Sequence, residues 1–322
     1  MSALNVVVWG LGQHAVKRIL PAVTATEGAR LHGVVSRRES AVAACRSAYG
    51  CQGWTDESAM LQDPGVDAVY VATPSGLHPA HAERVLGAGK HAWVEKPVAL
   101  TAADARALAD RSRAAGLGLC EGFMYLFHPH FRDLSQGVAQ GRIGRPLSVT
   151  CRFGIPELTD PGFRTSRVLG GGALHDVGSY GVSAVLGLFP DAVVSVQSAA
   201  LQRRSGSEVD TSGHAIMLAD EVEAHLEWRT GSAYRNELFV WGDAGSVSTD
   251  LIFSKPADHA PVLQWRDVHG RTTDAVCAPA NHFVEMLRAF TRWTTAPGAA
   301  ELERRTIVRR AEVMDAIEAR SN

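Results

Sequence analysis

Two residues with acid–base side chains follow a run of three glycines in the segment GGGALHDVGSY, residues 170–180. If a helix begins near Ala173, Asp176 and Tyr180 are four residues apart and share one face of that helix. Both groups can take part in acid–base chemistry, and they would point the same way, near a spot cleared of side chains. The glycines would let a ligand or another backbone approach the start of the helix. Taken alone, the segment is equally compatible with a glycine hinge before an ordinary amphipathic helix.

A second glycine-rich segment follows the first apolar stretch of the chain, LNVVVW. Gly10, Gly12 and Ala15 have the spacing G-x-G-x-x-A directly after a predicted strand and at the start of a predicted helix. In that position the first glycine permits a tight turn, and the second lets the backbone approach a pyrophosphate. The N-terminus of the helix attracts the phosphate charge. The turn, which includes Gln13 and His14, therefore predicts dinucleotide binding.

The end of the second predicted strand indicates which dinucleotide binds. An acidic residue at this point would bind the ribose hydroxyl groups of NAD, but this chain has Ser36, Arg37 and Arg38 there. Without an acid nothing repels a 2'-phosphate, and the forked guanidinium of arginine suits a phosphate. The sequence therefore favours NADP(H) over NAD(H). The alternative is that the two arginines are merely solvated at a helix start.

The elements that must position these residues follow two rhythms. Over about the first 120 residues, short β-branched runs such as DAVYVAT alternate with helical stretches such as TAADARALADRSRAAG, which is typical of a parallel, doubly wound Rossmann sheet. Beyond them, strands follow one another in near succession and predict an α+β domain with a mostly antiparallel sheet. The helix of residues 171–189 lies against that sheet. The change of rhythm predicts two domains, residues 1–124 and 125–322, with two helices closing the chain.

Composition excludes several classes of protein. A net charge of −2 over 322 residues gives no electrostatic reason to expect nucleic acid or an anionic membrane as a partner. No apolar stretch is long enough to span a membrane, and the first residues lack the basic start of a signal peptide. The cysteines form no C-x-x-C pair and the histidines are scattered, so we expect neither a disulfide framework nor a metal site. These features predict a cytoplasmic protein.

Two further segments complete a pattern found in one protein family. ATPSGLH ends the third predicted strand, and VEKPVAL ends the next. With the glycine turn and GGGALHDVGSY, they resemble the glucose–fructose oxidoreductase, inositol dehydrogenase and rhizopine catabolism (Gfo/Idh/MocA) family of NAD(P)-dependent dehydrogenases, over residues 5 to about 290. The triplet Glu95, Lys96 and Pro97 is the most specific element. The resemblance implies a Rossmann domain, an open-faced sheet domain for substrate binding and oligomerisation, a cis bond before Pro97, and a homodimer or homotetramer.

The resemblance also implies a role for each motif residue. Glu95 meets the nicotinamide ribose, Asp176 helps to hold the substrate, and Lys96 reaches the reacting oxygen. Tyr180 takes the acid–base position; free tyrosine has a pKa near 10, which the ammonium group of Lys96 would lower. Whether Tyr180 or Lys96 is the immediate proton donor is left open. The residues expected to bind NADP(H) are Gly10, Gly12, Gln13, His14, Ala15, Ser36, Arg37, Arg38, Thr73, Pro74, His78, Glu95, Lys96 and Pro97. Those expected to bind a small sugar substrate are Tyr125, Arg164, Asp176 and Tyr180, and the catalytic set is Lys96, Tyr180 and Asp176.

Other segments narrow the resemblance. GFMYLFHPHF, CRFGIP and YRNELFVWGDAGSV look like those of the NADPH-dependent nucleotide-diphosphate-hexose 3-ketoreductases of deoxysugar biosynthesis, and also like dihydrodiol and xylose dehydrogenases. We therefore expect reduction of the C-3 keto group of a nucleotide-activated deoxysugar. A dehydrogenase of a free sugar, polyol or dihydrodiol is the alternative, and a non-catalytic dinucleotide sensor is a more remote one. Trp9, His14 and His175 depart from the family, in which aliphatic residues are usual at these positions.

Overall fold

The computed structural model describes residues 3–294 and 296–321. Backbone contacts divide them into two units. The first comprises the residues up to Phe123 together with Phe283–Val308, and the second comprises Met124–His282 together with the residues from Arg309 onward. The order of strands and helices in the sequence predicts residues 283–308 in the second domain, whereas here they belong to the first unit. Residues 1 and 322, at the ends of the predicted domains, and residue 295, at the end of a predicted closing helix, lie outside the described residues.

A six-stranded sheet forms the centre of the first unit. All neighbouring strands are parallel, in the order β3-β2-β1-β4-β5-β6. Because the strand order reverses between β1 and β4, the carboxyl ends of these two strands mark the topological switch point, where such sheets bind ligands. The strands are β1 (Leu4–Trp9), β2 (Ala29–Val35), β3 (Gln52–Trp54), β4 (Ala68–Val71), β5 (His91–Val94) and β6 (Leu119–Glu121).

Helices connect the strands of this sheet. A π-helical turn, Ala15–Ile19, runs directly into α1 (Leu20–Ala25). The other connecting helices are α2 (Glu39–Tyr49), α3 (Glu57–Gln62), α4 (His78–Gly87) and α5 (Ala102–Ala115). β3 and α3 were not predicted, because segments of three and six residues are too short to show a periodic pattern.

The second unit contains an eight-stranded sheet in the order β14-β13-β12-β11-β7-β10-β9-β8. Only the pairing of β7 with β10 is parallel among these described strands, so the sheet is mostly antiparallel, as predicted. The strands are β7 (Pro146–Ile155), β8 (Val194–Gln202), β9 (Ser212–Ala219), β10 (Val222–Thr230), β11 (Arg235–Gly242), β12 (Gly245–Asp250), β13 (Val262–Asp267) and β14 (Thr272–Val276). β13 and β14 were not predicted.

One face of this sheet is covered by the helix that carries the predicted catalytic pair. The helix begins with a π-helical turn, Leu174–Gly178, and continues as α7 (Ser179–Leu188). It lies close to the sheet at Gly181, where a Cβ atom would approach the side chain of Leu226 to 3.2 Å. The remaining helices are α6 (Pro129–Ala139), α8 (His282–Thr294) and α9 (Pro297–Arg320). None of the helices in the described ranges is both long and apolar enough to cross a membrane.

Candidate active site

The turn after β1 has the backbone geometry that dinucleotide binding requires. Gly10 has a φ of +103°, and a Cβ atom there would lie 2.7 Å from the carbonyl oxygen of Ala72, so only glycine fits. A Cβ atom on Gly12 would meet no protein atom within 4 Å. Packing of the protein therefore does not require glycine at this position, and the cleared space suits a pyrophosphate against the backbone. Ala15, which is 1% exposed, lies in the first turn of the helix that follows.

The two arginines after β2 have different surroundings. The guanidinium of Arg38 donates a hydrogen bond of 2.5 Å to the carbonyl oxygen of Leu11, inside the glycine turn. The backbone N–H of Arg38 donates to Oγ of Ser36 at 3.2 Å. Arg37 is exposed. Arg38 therefore supports the turn, which leaves Arg37 as the better candidate for a 2'-phosphate.

His78 lies inside the protein and links two loops. It is 1% exposed, its Nδ1 is 2.7 Å from the carbonyl oxygen of Pro97, and its Nε2 is 2.8 Å from that of Thr73. Burial lowers the pKa of His78, and the two carbonyl contacts oppose that shift. Because its ring is buried and each nitrogen contacts a carbonyl group, His78 fixes the loops after β4 and β5 to each other.

A stacked pair that the sequence analysis did not single out lies beside Thr73. The hydroxyl of Thr73 is 2.9 Å from Nδ1 of His81, and the His81 ring stacks on Trp9 with centroids 4.1 Å apart. Burial lowers the pKa of His81 to about 4, so the ring is neutral at physiological pH. The available signal was the spacing of His78 and His81, three residues apart at the start of α4.

Glu95, at the carboxyl end of β5, is the most strongly held acid of the first unit's candidate site. Its Oε1 accepts a hydrogen bond of 2.6 Å from the hydroxyl of Tyr70 and lies 3.0 Å from Nε2 of His14. Burial alone would raise the pKa of Glu95, but His14, Tyr70 and the charge of Lys96 together hold it at about 2. The peptide bond between Lys96 and Pro97 is cis, as expected.

In the second unit, the structure brings together two of the predicted substrate-binding residues. Nε of Arg164 donates a hydrogen bond of 2.8 Å to Oδ2 of Asp176, and their side chains are 36% and 16% exposed. The neighbouring His175 is 8% exposed, and its Nε2 lies 3.8 Å from Oε1 of Glu318 in α9. The pair of Asp176 and Arg164 offers a carboxylate and a guanidinium to the hydroxyl or phosphate groups of a ligand.

The glycines before Asp176 are explained by contacts within the protein. A Cβ atom on Gly171 would lie 2.4 Å from the carbonyl oxygen of Arg164. Gly172 has a φ of +119°, and a Cβ atom there would lie 2.4 Å from Oδ1 of Asp210. Of the two roles that the sequence left open for these glycines, the structure therefore supports the approach of another backbone and of the Asp210 side chain.

Tyr180 lies among other aromatic side chains and is 8% exposed. Its ring centroid is 5.1 Å from that of Phe153, 5.2 Å from that of Phe253 and 5.8 Å from that of Tyr125. Its hydroxyl oxygen is 3.8 Å from Sδ of Met124. The aromatic cluster fixes the direction of the ring, which a proton donor requires.

Tyr125, which the resemblance assigns to substrate binding, is buried in the structure. It is 0% exposed, and its hydroxyl oxygen lies 2.6 Å from Oγ of Ser183. Burial raises the pKa of Tyr125 well above its ordinary value. Because the ring is enclosed, Tyr125 supports Tyr180 from behind and offers no surface to a ligand.

Two family models match the chain. Residues 4–123 match the model of an oxidoreductase family with an NAD-binding Rossmann fold, and residues 131–248 match the model of the Gfo/Idh/MocA C-terminal domain. A relative from Streptomyces violaceoruber is 31% identical over 98% of this chain and 94% of its own length. The chain belongs to the Gfo/Idh/MocA family. It is therefore an oxidoreductase by family, and the two-part fold predicted for the family is confirmed.

Named members of the Gfo/Idh/MocA family indicate what the chain is similar to. The Streptomyces relative is a dTDP-3,4-didehydro-2,6-dideoxy-alpha-D-glucose 3-reductase. A D-xylose 1-dehydrogenase (NADP(+)) from Haloferax volcanii is 29% identical over 96% of this chain and 95% of its own length. The crystal structure of KijD10, a 3-ketoreductase from Actinomadura kijaniata in complex with NADP and TDP-benzene, has a TM-score of 0.93 and 29% identity, covering 99% of this chain and 98% of its own. Other crystal structures of KijD10 carry a tyrosine-to-phenylalanine or a lysine-to-alanine substitution.

Proposed function

We propose that the protein uses NADPH to reduce the C-3 keto group of a nucleotide-activated deoxysugar. The observation that carries this proposal is similarity over nearly the whole chain. The dTDP-sugar 3-reductase from Streptomyces violaceoruber matches 98% of the chain, and the 3-ketoreductase with NADP and TDP-benzene has a TM-score of 0.93. Both units are included in these matches, so the proposal covers the cofactor and the substrate.

The first unit holds the cofactor in this proposal. The backbone of Gly12 and the helix N-terminus behind it receive the pyrophosphate, and Arg37 pairs with the 2'-phosphate. Glu95 accepts hydrogen bonds from the ribose of the nicotinamide. Arg38 supports the turn through the carbonyl group of Leu11. Bound NADPH supplies the hydride.

The second unit holds the substrate and supplies acid catalysis. Asp176, aligned by Arg164, accepts a hydrogen bond from a sugar hydroxyl group. As the keto carbon gains a hydride, its oxygen gains a proton from Tyr180, which leaves a hydroxyl group on the sugar. Lys96, in the role that the family resemblance implies, donates a hydrogen bond to the same oxygen and stabilises the negative charge that develops on it. A lysine and a tyrosine are also the residue types replaced in the KijD10 variants.

A substrate screen tests the proposal. Consumption of NADPH is followed by its absorbance with dTDP-, UDP- and GDP-linked 3-keto-deoxysugars, each beside the same sugar without its nucleotide. We expect turnover with the dTDP-linked sugar and at least tenfold lower kcat/KM with the free sugar. Failure to reduce any nucleotide-linked ketosugar would contradict the proposal.

A dehydrogenase of a free sugar is the second candidate, and the similarity to the D-xylose 1-dehydrogenase from Haloferax volcanii favours it. Such an enzyme needs no binding site for a nucleotide. Calorimetric titration with thymidine diphosphate in the presence of NADP separates the two candidates. Binding favours the nucleotide-linked substrate, whereas no binding together with NADP-dependent oxidation of xylose favours the second candidate.

The homo-oligomer and the cytoplasmic location belong to the same proposal. Phe239, Trp241 and Val262 lie 37%, 56% and 40% exposed on the face of the eight-stranded sheet opposite α7, where such an apolar set suits contact with a second copy. The cysteines are all free thiols, which suits a reducing compartment.

A further inference from the structure

A hydrogen bond joins the phosphate-binding turn to the end of a strand far along the chain. Nε2 of His14, in the turn, lies 3.0 Å from Oε1 of Glu95, and the two residues are 81 positions apart. The imidazole is 44% exposed and the carboxylate 15% exposed. The contact therefore lies at the edge of the region where the turn would receive a ligand.

The rest of the protein holds Glu95 from its other sides. Tyr70 donates to the same Oε1 at 2.6 Å, and the backbone N–H of Lys96 is 3.3 Å from Oε2. A Cβ atom on Gly122 would lie 3.2 Å from the Tyr70 hydroxyl oxygen and 3.3 Å from Oε2 of Glu95, so glycine leaves room for both groups. These contacts turn Oε1 toward His14 and Tyr70, and leave Oε2 as the oxygen with the weaker protein donor.

The carboxylate of Glu95 keeps its negative charge over the pH range in which the enzyme works. Since the contacts with His14, Tyr70 and Lys96 outweigh the effect of burial and hold the pKa of Glu95 at about 2, the side chain is an anion that only accepts hydrogen bonds. A ligand hydroxyl group bonds well only to an acceptor that is already oriented, because ordering a side chain on binding costs affinity. His14 and Tyr70 supply that orientation before the ligand arrives.

We propose that His14 is a positioning residue for the nicotinamide dinucleotide, and that it acts by fixing Glu95 so that Oε2 faces the hydroxyl groups of the bound cofactor. The inference rests on the proposed function, because it takes the turn as the site of NADPH. His14 takes no part in proton or hydride transfer. Its loss therefore changes cofactor binding and leaves the chemical step almost unchanged.

The test measures the Kd of NADPH from its fluorescence, without substrate, for the wild type, His14→Leu and His14→Gln. We expect about a tenfold higher Kd for His14→Leu, which removes the hydrogen bond to Glu95. His14→Gln keeps an N–H donor and should stay within about threefold of the wild type. At saturating NADPH, kcat of both variants should stay within about threefold, while KM for NADPH follows Kd.

The chain offers a matched control. Nε2 of His32 lies 3.0 Å from Oδ2 of Asp63, so this pair has the same groups and the same distance, near the amino ends of the same sheet. His32→Leu should leave the Kd of NADPH within about twofold. A thermal melt of each variant without cofactor separates loss of folding from loss of binding.

The pair of His14 and Glu95 is tested as a pair by a double-mutant cycle. If His14 acts through Glu95, then His14→Leu adds less than about twofold to the Kd of a Glu95→Gln variant. Unchanged NADPH binding by His14→Leu, an equal loss in His32→Leu, or full additivity in the cycle would each overturn the inference. A wild-type protein that does not bind NADPH would overturn the proposed function as well.

Discussion

Arg37 and Arg38 follow β2 side by side, yet their guanidinium groups have different surroundings. Both residues are exposed, but Arg38 donates to the Leu11 carbonyl at 2.5 Å. We therefore expect Arg37→Ala to raise the Kd of NADPH about 10- to 100-fold and to leave that of NADH nearly unchanged, since only NADPH carries the 2'-phosphate. Fluorescence titration with both cofactors measures the effect.

Arg38→Ala is the matched comparison for the Arg37 prediction. It removes the support of the turn that we propose binds the pyrophosphate, a group common to both cofactors. NADPH and NADH should therefore weaken by similar factors. If Arg37→Ala also weakened both cofactors equally, the assignment of Arg37 to the 2'-phosphate would be wrong.

Tyr180 is the residue on which the proposed acid catalysis depends. Tyr180→Phe keeps the ring within the cluster of Phe153, Phe253 and Tyr125 and removes only the hydroxyl group. Positioned acid catalysis is worth about 10²–10⁴-fold, so kcat should fall by a factor in that range while NADPH binding persists. Lys96→Met should cost as much or more. Steady-state kinetics with the ketosugar measures both.

The combination of these two substitutions identifies how the residues act. Groups that work as a unit are not additive, so the double variant should fall well short of the product of the two losses. If Tyr180→Phe keeps more than about a tenth of the wild-type kcat with the chemical step limiting, Lys96 becomes the better candidate for the proton donor.

Among the elements, the two helices that follow glycine-rich segments share an unusual start. Both contain a π-helical turn within two residues of their start, Ala15–Ile19 and Leu174–Gly178, before continuing as α-helix. Such turns are rare in proteins as a whole, but where they occur they are often at functional sites. One lies in the predicted cofactor site and the other contains Asp176. Periodicity in the sequence does not distinguish them from ordinary helix starts.

Asp210 anchors the second of these helix starts from the loop before β9. Its Oδ2 accepts a hydrogen bond of 2.7 Å from the N–H of Leu174, and its carbonyl oxygen accepts one of 3.0 Å from the N–H of Ala173. Asp210→Ala leaves a buried N–H without its acceptor, so we expect the free energy of unfolding to fall by about 1–3 kcal/mol. Because this helix carries Asp176 and Tyr180, kcat should fall too.

Asp210→Asn is the conservative comparison, because its amide oxygen can still accept the bond from Leu174. It should keep most of the stability and activity that Asp210→Ala loses. Urea unfolding and steady-state kinetics measure the two effects. Equal losses in the two variants would mean that the negative charge of Asp210, and not the hydrogen bond, stabilises the helix.

Two fully buried histidines at the start of α6 make the stability of the fold depend on pH. His128 directly precedes the helix, and His130 lies in its first turn. Burial, and then the nearby charge of Lys255, lowers the pKa of His128 to about 4 and that of His130 to about 3. In the unfolded chain both protonate near pH 6.5. The unfolded state therefore binds more protons below pH 6.5, and the free energy of unfolding should fall as pH drops from about 6.5 to 4.

His130→Gln tests this pH dependence. The glutamine amide reaches about as far as the histidine Nε2, which lies 2.6 Å from Oγ1 of Thr249, so the variant can keep that hydrogen bond, and it does not titrate in this range. Between pH 6.5 and 4, the urea midpoint of the variant should fall less than that of the wild type. The reason is that the variant takes up about one proton fewer on unfolding. An identical slope would show that His130 does not contribute.

At the scale of the whole molecule, we expect copies of the protein to associate through the exposed face of the eight-stranded sheet. Along β11 buried residues alternate with Glu237, Phe239 and Trp241, and a hollow of about 520 Å³ on that face is lined by Phe239 and Val262. We expect Trp241→Glu to place a charge in the contact and to reduce the mass in solution by half or more, measured by light scattering. Val268, in the turn between β13 and β14, is also apolar and is 68% exposed against 56% for Trp241, and Val268→Glu should leave the mass unchanged.

The sequence by itself determined the fold class and the main motifs. The alternation of β-branched runs with helical stretches, the spacing of Gly10, Gly12 and Ala15, and the triplet that begins with Glu95 are local patterns, because strand and helix periods and tight turns depend on residues a few positions apart. These patterns predicted the Rossmann sheet, the mostly antiparallel sheet and the family.

Only the tertiary structure decided what each side chain of the candidate site contacts. Arg38 reaches the turn, His14 and Tyr70 hold Glu95, and Tyr125 is enclosed behind Tyr180. The residues in each of these contacts are 25 or more positions apart in the sequence. Such contacts depend on how the strands and helices pack, which periodicity does not encode, and so residue types that looked equivalent in the sequence have different roles in the fold.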